Sequence, residues 1–138
     1  MGQVDRFSVS LDTELLAAFD RHISGRGYAN RSEAVRDLIR DQLSADRLRR
    51  DDEPVVMVLS FLLDLDKADV SRTLAEKTCA HGGLVTASWH FRLDDHSQAV
   101  VMVLRGTTGQ THAFAGEIQS LCGVLHTRIV LLPVTTAI

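Results

Sequence analysis

Arg6-Phe7-Ser8-Val9-Ser10-Leu11 is the stretch on which the reading of this chain turns. As an extended strand it puts Phe7, Val9 and Leu11 on one face and Arg6, Ser8 and Ser10 on the other. The apolar face can pack on the helices that follow. The polar face carries one long cationic donor and two short hydroxyls, side chains able to hydrogen-bond base edges in a DNA major groove. Helix signals follow at once, so the strand has no partner nearby in its own chain. Pairing with its copy in a second chain is the economical solution. The resulting two-stranded antiparallel ribbon has the width of a major groove. Alternation alone also describes an ordinary edge strand with a solvated polar face, and the choice rests on what comes next.

Asp12 reads as an N-cap, with Glu14 in the first turn facing the helix dipole. Leu15, Leu16, Phe19 and Ile23 recur at helical spacing, and Gly25-Arg26-Gly27 stops that helix. Asn30 with Glu33 reads as a variant capping box opening a second helix, whose apolar stripe is Val35, Leu38, Ile39 and Leu43. Free backbone N–H groups at that N-terminus, Arg31 and the Ser32 hydroxyl can together grip a DNA phosphate. Asn30 and Ser32 taken alone fit a plain capped helix equally well. A strand and two helices in about 45 residues are too little chain for an independent core. Two intertwined copies would supply one. The expected first domain is 1–46.

Residues 47–53 are charged and read as a helix end running into a solvated linker. Pro54 opens a second domain, 54–138. Val55 to Leu63 is an apolar run of strand length, and Asp69 to His81 is helical, ended by Gly82-Gly83. Leu84 to Leu93 and Ala99 to Leu104 form a hairpin around the turn Asp94-Asp95-His96-Ser97. Thr107 to Leu121 is a helix around Phe114, Ala115 and Ile118, and Val124 to Val134 is the last strand. The order β-α-β-β-α-β is the ferredoxin-like unit, which makes the fold class α+β. Both helices would lie on one face of a four-stranded sheet, so the other face needs cover from a second copy.

Composition bounds the function. Residues 1–53 hold nine Arg, no Lys and eleven Asp or Glu. Most non-specific DNA affinity comes from phosphate neutralisation, so any DNA binding here depends on local placement of charge. The longest apolar run is broken by Ser60, well short of the ~20 residues that cross a bilayer, and the N-terminus shows no signal-peptide pattern. Cys79 and Cys122 lie far apart, without metal-finger spacing. That pattern suits free thiols in a reducing cytoplasm, the expected location. No nucleophile–base pair or phosphate loop suggests an enzyme.

Residues 6–43 resemble ribbon-helix-helix repressors. The resemblance is carried by Arg6-x-Ser8-x-Ser10-Leu11-Asp12 and by Asn30-Arg31-Ser32-Glu33-Ala34-x-Arg36-Asp37. Followed by a ferredoxin-like domain, the whole resembles the NikR family of nickel-responsive repressors. Arg26-Gly27-Tyr28-x-Asn30, the block Leu84 to Gly106, and Gly123-Val124-x-His126 extend the likeness over nearly the whole chain. The resemblance implies operator DNA as partner, with Arg6, Ser8, Ser10, Asn30, Arg31, Ser32 and Arg36 at the interface. It implies an ACT-type second domain forming the core of a homotetramer, a dimer of dimers, with nickel bound between subunits. It also implies a potassium ion where the two domains meet, near Glu33 and Asp37. An i, i+4 carboxylate pair suits a cation, and equally a solvated helix face.

This chain departs from the family at the nickel ligands. The family's His-x-His and the Cys six residues on fall at His90, Arg92 and Gln98, and its fourth ligand, a His from a neighbouring chain, falls at Cys79. Arg92 cannot give up its proton to ligate a metal and adds positive charge. Three readings stay open. A different transition metal could bind Cys79 and His90 from different chains, helped by His81 or His96. Arg92 could pair with an acid and fix the tetramer without an effector. Or Arg92 could anchor a small anionic molecule at an ACT-type interface. His22, His112 and His126 read as surface or packing residues. The leading function is a DNA-binding transcriptional repressor. The alternative from another class is an antitoxin-like ribbon-helix-helix protein, whose usual disordered tail is replaced here by an ordered-looking domain.

Overall fold

The computed structural model describes residues 2–134. The chain divides into two compact units, Met1–Gln42 and Leu43–Ile138, with the division falling inside a helix.

In the first unit residues 2–12 form no helix or strand and are exposed. Helix α1 spans Thr13–Ile23, and Asp12 caps it by accepting the Leu15 N–H at 2.8 Å. Gly25 and Gly27 then take φ of 77° and 80°, the left-handed region that glycine enters at no steric cost. Helix α2 spans Arg31–Arg47. Asn30 Oδ1 accepts the Glu33 N–H at 3.0 Å, and Glu33 Oε2 accepts the Ala29 N–H at 3.0 Å. That is a capping box displaced by one residue from its usual return contact. The helices form as their patterns dictate, yet α1 buries no residue and α2 only Ala34. Leu15, Leu38, Ile39 and Leu43 stay exposed. Leu16, Phe19 and Ile23 of α1 and Val35 of α2 are half-buried, so each stripe is only partly covered.

In the second unit β1 (Pro54–Asp64), α3 (Val70–Ala80), β2 (Val85–Arg92), β3 (Ser97–Thr107), α4 (Thr108–Gln119) and β4 (Val124–Pro133) follow in turn. The sheet order is β2-β3-β1-β4, and every adjacent pair is antiparallel. This is the ferredoxin-like arrangement. Burial alternates strictly along β1: Val55, Met57, Leu59, Phe61 and Leu63 point into the core. Met57, Leu59, Phe61 and Leu63 pack there with Val70 and Leu74 of α3 and Phe114, Ala115 and Ile118 of α4. The opposite face is open. Val58 of β1 and Val101 of β3 are half-buried on it. Trp89 and Phe91 of β2 and Val130 and Leu132 of β4 are about half exposed there.

The backbone of residues 51–53 is engaged with α4. Asp51 O accepts the Gly109 N–H at 2.9 Å, and Glu53 O accepts the Thr108 N–H at 2.9 Å and its hydroxyl at 3.1 Å. A Cβ on Gly109 would sit 3.1 Å from Asp51 O, so glycine is what lets the two segments approach. Thr107 and Gln110 complete a capping box at the start of α4. In β4 two residues, His126 and Thr127, stand opposite the single Phe61, since Ser60 pairs with Arg128 and Leu62 with Leu125. His126 takes φ of 55° at this bulge.

Candidate nucleic-acid interface and ligand pocket

Arg6, Ser8 and Ser10 lie exposed in the N-terminal segment. Arg31 opens α2 and turns back to α1. Its Nε and Nη2 donate to the two oxygens of Asp20 at 2.9 and 2.7 Å, a bidentate fork. This contact holds the Asp20 carboxyl below its ordinary range and the Arg31 guanidinium above its own. The fork uses one edge of the guanidinium, and the Nη1 edge stays available. Asn30 is committed to the cap, and Ser32 lies exposed in the first turn of α2.

Arg36 lines a polar pocket of about 430 Å³ with Arg26, Gly27, Tyr28, Glu33, Asp37 and Arg40. Both expected cation-holding carboxylates have protein partners there. Glu33 accepts the Ala29 N–H, and Asp37 accepts from Arg40 Nη1 at 3.3 Å. Partial desolvation and then the charge and hydrogen bond of Asp37 raise the Tyr28 phenol above its usual value.

A second pocket, of about 380 Å³, lies between α3 and β2 on the helix-covered side of the sheet. Leu63, Leu74 and Ala75 give it apolar walls, and Ser71, Thr78, Cys79, Ser88, His90 and Gln98 give it polar ones. One chain thus brings Cys79 and His90 to a shared cavity. Both nitrogens of the His90 ring are engaged: Nε2 lies 3.1 Å from Ser88 Oγ and Nδ1 lies 3.4 Å from Gln98 Oε1. Period-two alternation puts Ser88 and His90 on one face of β2. Ser88 was therefore findable from sequence, but only once the strand's facing was known.

The remaining candidates lie elsewhere. Arg92 Nη1 is 3.8 Å from Asp95 in the hairpin turn. His81 Nδ1 is 3.0 Å from Lys77 O, and its ring meets Phe114 edge to face with centroids 5.2 Å apart. His96 Nδ1 is 3.0 Å from Asp66 Oδ1, a contact that raises the imidazole above its ordinary value. Among the described residues no three His, Cys, Asp or Glu side chains are grouped as a metal ion requires.

Two short capped helices with partly exposed apolar stripes after an alternating segment, followed by a ferredoxin-like sheet, define a class: a ribbon-helix-helix transcriptional regulator with a second domain. Comparison with known proteins agrees on both halves. Residues 5–45 match the model of the ribbon-helix-helix protein, copG family. Residues 56–132 match that of the NikR C terminal nickel binding domain. A putative nickel-responsive regulator of Trichlorobacter lovleyi is 34% identical over 98% of this chain and 97% of its own. Proteins of the same description from Geobacter sulfurreducens and Thermococcus onnurineus are 38% and 36% identical, over 95% and 94% of this chain and 94% of each relative. The chain belongs to the NikR family of nickel-responsive transcriptional regulators.

Proposed function

We propose that this regulator is a homotetramer, a dimer of dimers, that binds operator DNA through paired copies of residues 6–11. The observation that carries this reading is the apolar surface left outside the fold of one chain. Phe7 is 72% and Val9 66% exposed, and Leu15 of α1 and Leu38, Ile39 and Leu43 of α2 are exposed as well. Contiguous apolar surface of this kind marks an interface. A second copy covers it by pairing the two strands and interleaving the four helices. Arg6, Ser8 and Ser10 then face the major groove as direct readers of base edges. The α2 N-terminus with Arg31 and Ser32 takes a flanking phosphate, and Arg36 adds positive charge on the same helix. The open face of the ferredoxin-like sheet supports association of a second kind, joining dimers into the tetramer.

The first 53 residues carry nine Arg against eleven acids, so non-specific affinity is low and two half-sites must be engaged together. A potassium ion at Glu33 and Asp37 would compete with Ala29, Arg40 and Tyr28 and forms no part of this reading. No helix among the described residues is long and apolar enough to cross a membrane. Free thiols at Cys79 and Cys122 suit the reducing cytoplasm, where we place the protein. Native mass spectrometry tests the assembly: the expected species is a tetramer. A monomer refutes the reading, and a stable dimer removes the tetramer while leaving the ribbon.

A further inference from the structure

The family implies a nickel ion in residues 56–132, and the side chains present do not fit one. His90 is the histidine that lines the cavity in that region, and both of its ring nitrogens already lie within hydrogen-bond distance of protein partners. Gln98 Oε1 can only accept, so a neutral ring satisfies both contacts in the tautomer whose Nδ1–H donates to Gln98 Oε1 and whose Nε2 accepts the Ser88 hydroxyl. A metal at Nε2 must displace Ser88, and a metal at Nδ1 must also move the ring proton. Cys79 is the one other soft donor in the cavity. Arg92, two residues further along the same face of β2, carries a permanent positive charge and cannot ligate a metal. In the sheet Gln98 lies opposite Arg92, and Val100 lies opposite His90. The contact from His90 to Gln98 therefore runs diagonally from β2 to β3, tying the edge strand to its neighbour.

We propose that this regulator works without a metal, because Ser88, His90 and Gln98 form a hydrogen-bonded chain that fixes the β2–β3 hairpin where the matched domain would place an ion. The consequence for regulation rests on the DNA-binding reading above. Nickel then has no differential contact through which to shift the DNA-binding equilibrium. The hairpin is held in one arrangement by the chain's own side chains.

Full-length protein labelled with ¹⁵N in histidine tests this. The His90 ring should show the Nδ1–H tautomer, and Gln98→Ala should move it toward Nε2–H, because the partner of one nitrogen sets the tautomer. Titrated with Ni(II) or Zn(II), the protein should show no stoichiometric binding and no shift of the His90 resonances. DNA affinity in EDTA and in Ni(II) should agree within about twofold, against the roughly 5- to 150-fold of a typical effector. Arg92→His combined with Gln98→Cys should gain nickel binding with a thiolate absorption band. Metal bound once per chain with a shift at His90 would overturn the proposal, as would a tenfold metal-dependent rise in DNA affinity. An Nε2–H tautomer unaffected by Gln98→Ala would overturn it too. If no selective DNA binding occurs under any condition, the DNA reading fails, while the histidine spectra and metal titration still decide the hairpin.

Discussion

Val130→Asp separates the two faces of the ferredoxin-like sheet. Val130 pairs with Val58 on the open face and is 54% exposed in the single chain. Fully burying a valine is worth about 1.5–3 kcal/mol, so covering the exposed half contributes about 1 kcal/mol. A twofold interface uses the residue twice, for about 2 kcal/mol. An aspartate there must also be stripped of water, at several kcal/mol per ion without a partner charge. The sum exceeds about 5 kcal/mol, which at 1.4 kcal/mol per decade weakens association by more than about a thousandfold. The fold of the chain should survive, because the core lies on the other face. Leu59→Asp, next along the strand from Val58 and fully buried, should unfold the domain instead. Analytical ultracentrifugation and circular dichroism read the two effects separately. A Val130→Asp protein that keeps the parent's mass would refute association through this face. One that loses its secondary structure would show that the face is already part of the chain's own core.

Arg31→Ala should weaken binding to all duplexes alike. It should lower the slope of log affinity against log salt by about 0.9 for each phosphate that is no longer neutralised, read by fluorescence anisotropy across a salt series. Gly123→Ala should destabilise the second domain. At φ 102° its Cβ would lie 2.9 Å from Val70 Cγ2, and backbone strain alone costs about 1–3 kcal/mol. Thermal unfolding should fall by at least about 5 °C, whereas Gly83→Ala, with nothing within 4 Å, should stay within about 1 kcal/mol of the parent. His96 should titrate above the ordinary histidine value by NMR, its charged form held by Asp66. Asp66→Asn should bring it down. The contribution of the charged His96 to stability is fully present just below the ordinary histidine value and is lost as pH rises through the raised one.

How far the sequence could be read depends on what each feature needs. The apolar run from Val55 to Leu63 and the Gly82-Gly83 stop need only local signals, and β1 and α3 follow them closely, whereas the alternating burial along β1 is set by the helices that cover one face. Asn30 and Glu33 announce the start of α2 by local signals too. Residues 6–11 alternate in sequence yet form no ladder here, because a lone strand has nothing to bond to within its chain. Contacts between distant segments left no local signal. The backbone bonds of Asp51 and Glu53 to α4 depend on the approach that Gly109 permits. Arg31 advertised a phosphate contact, but its fork with Asp20 needs the crossing of two helices. At the ligand pocket the types and spacing of Cys79, His90, Arg92 and Gln98 disclosed an altered donor set. That Ser88 and Gln98 occupy both nitrogens of His90 required the hairpin register.

Selection of duplexes from a randomised pool, run with the parent protein and with Arg6→Ala, tests most directly whether the N-terminal segment is the reading head. A bidentate Arg–guanine contact is worth roughly 1–3 kcal/mol of discrimination, and a symmetric dimer makes it twice. The parent should enrich a two-fold symmetric sequence with half-sites a whole number of helical turns apart, and Arg6→Ala should lose the preference at the matching base in each half-site. Enrichment of the same sequence to the same degree by both proteins would contradict the ribbon of residues 6–11 as the element that reads DNA.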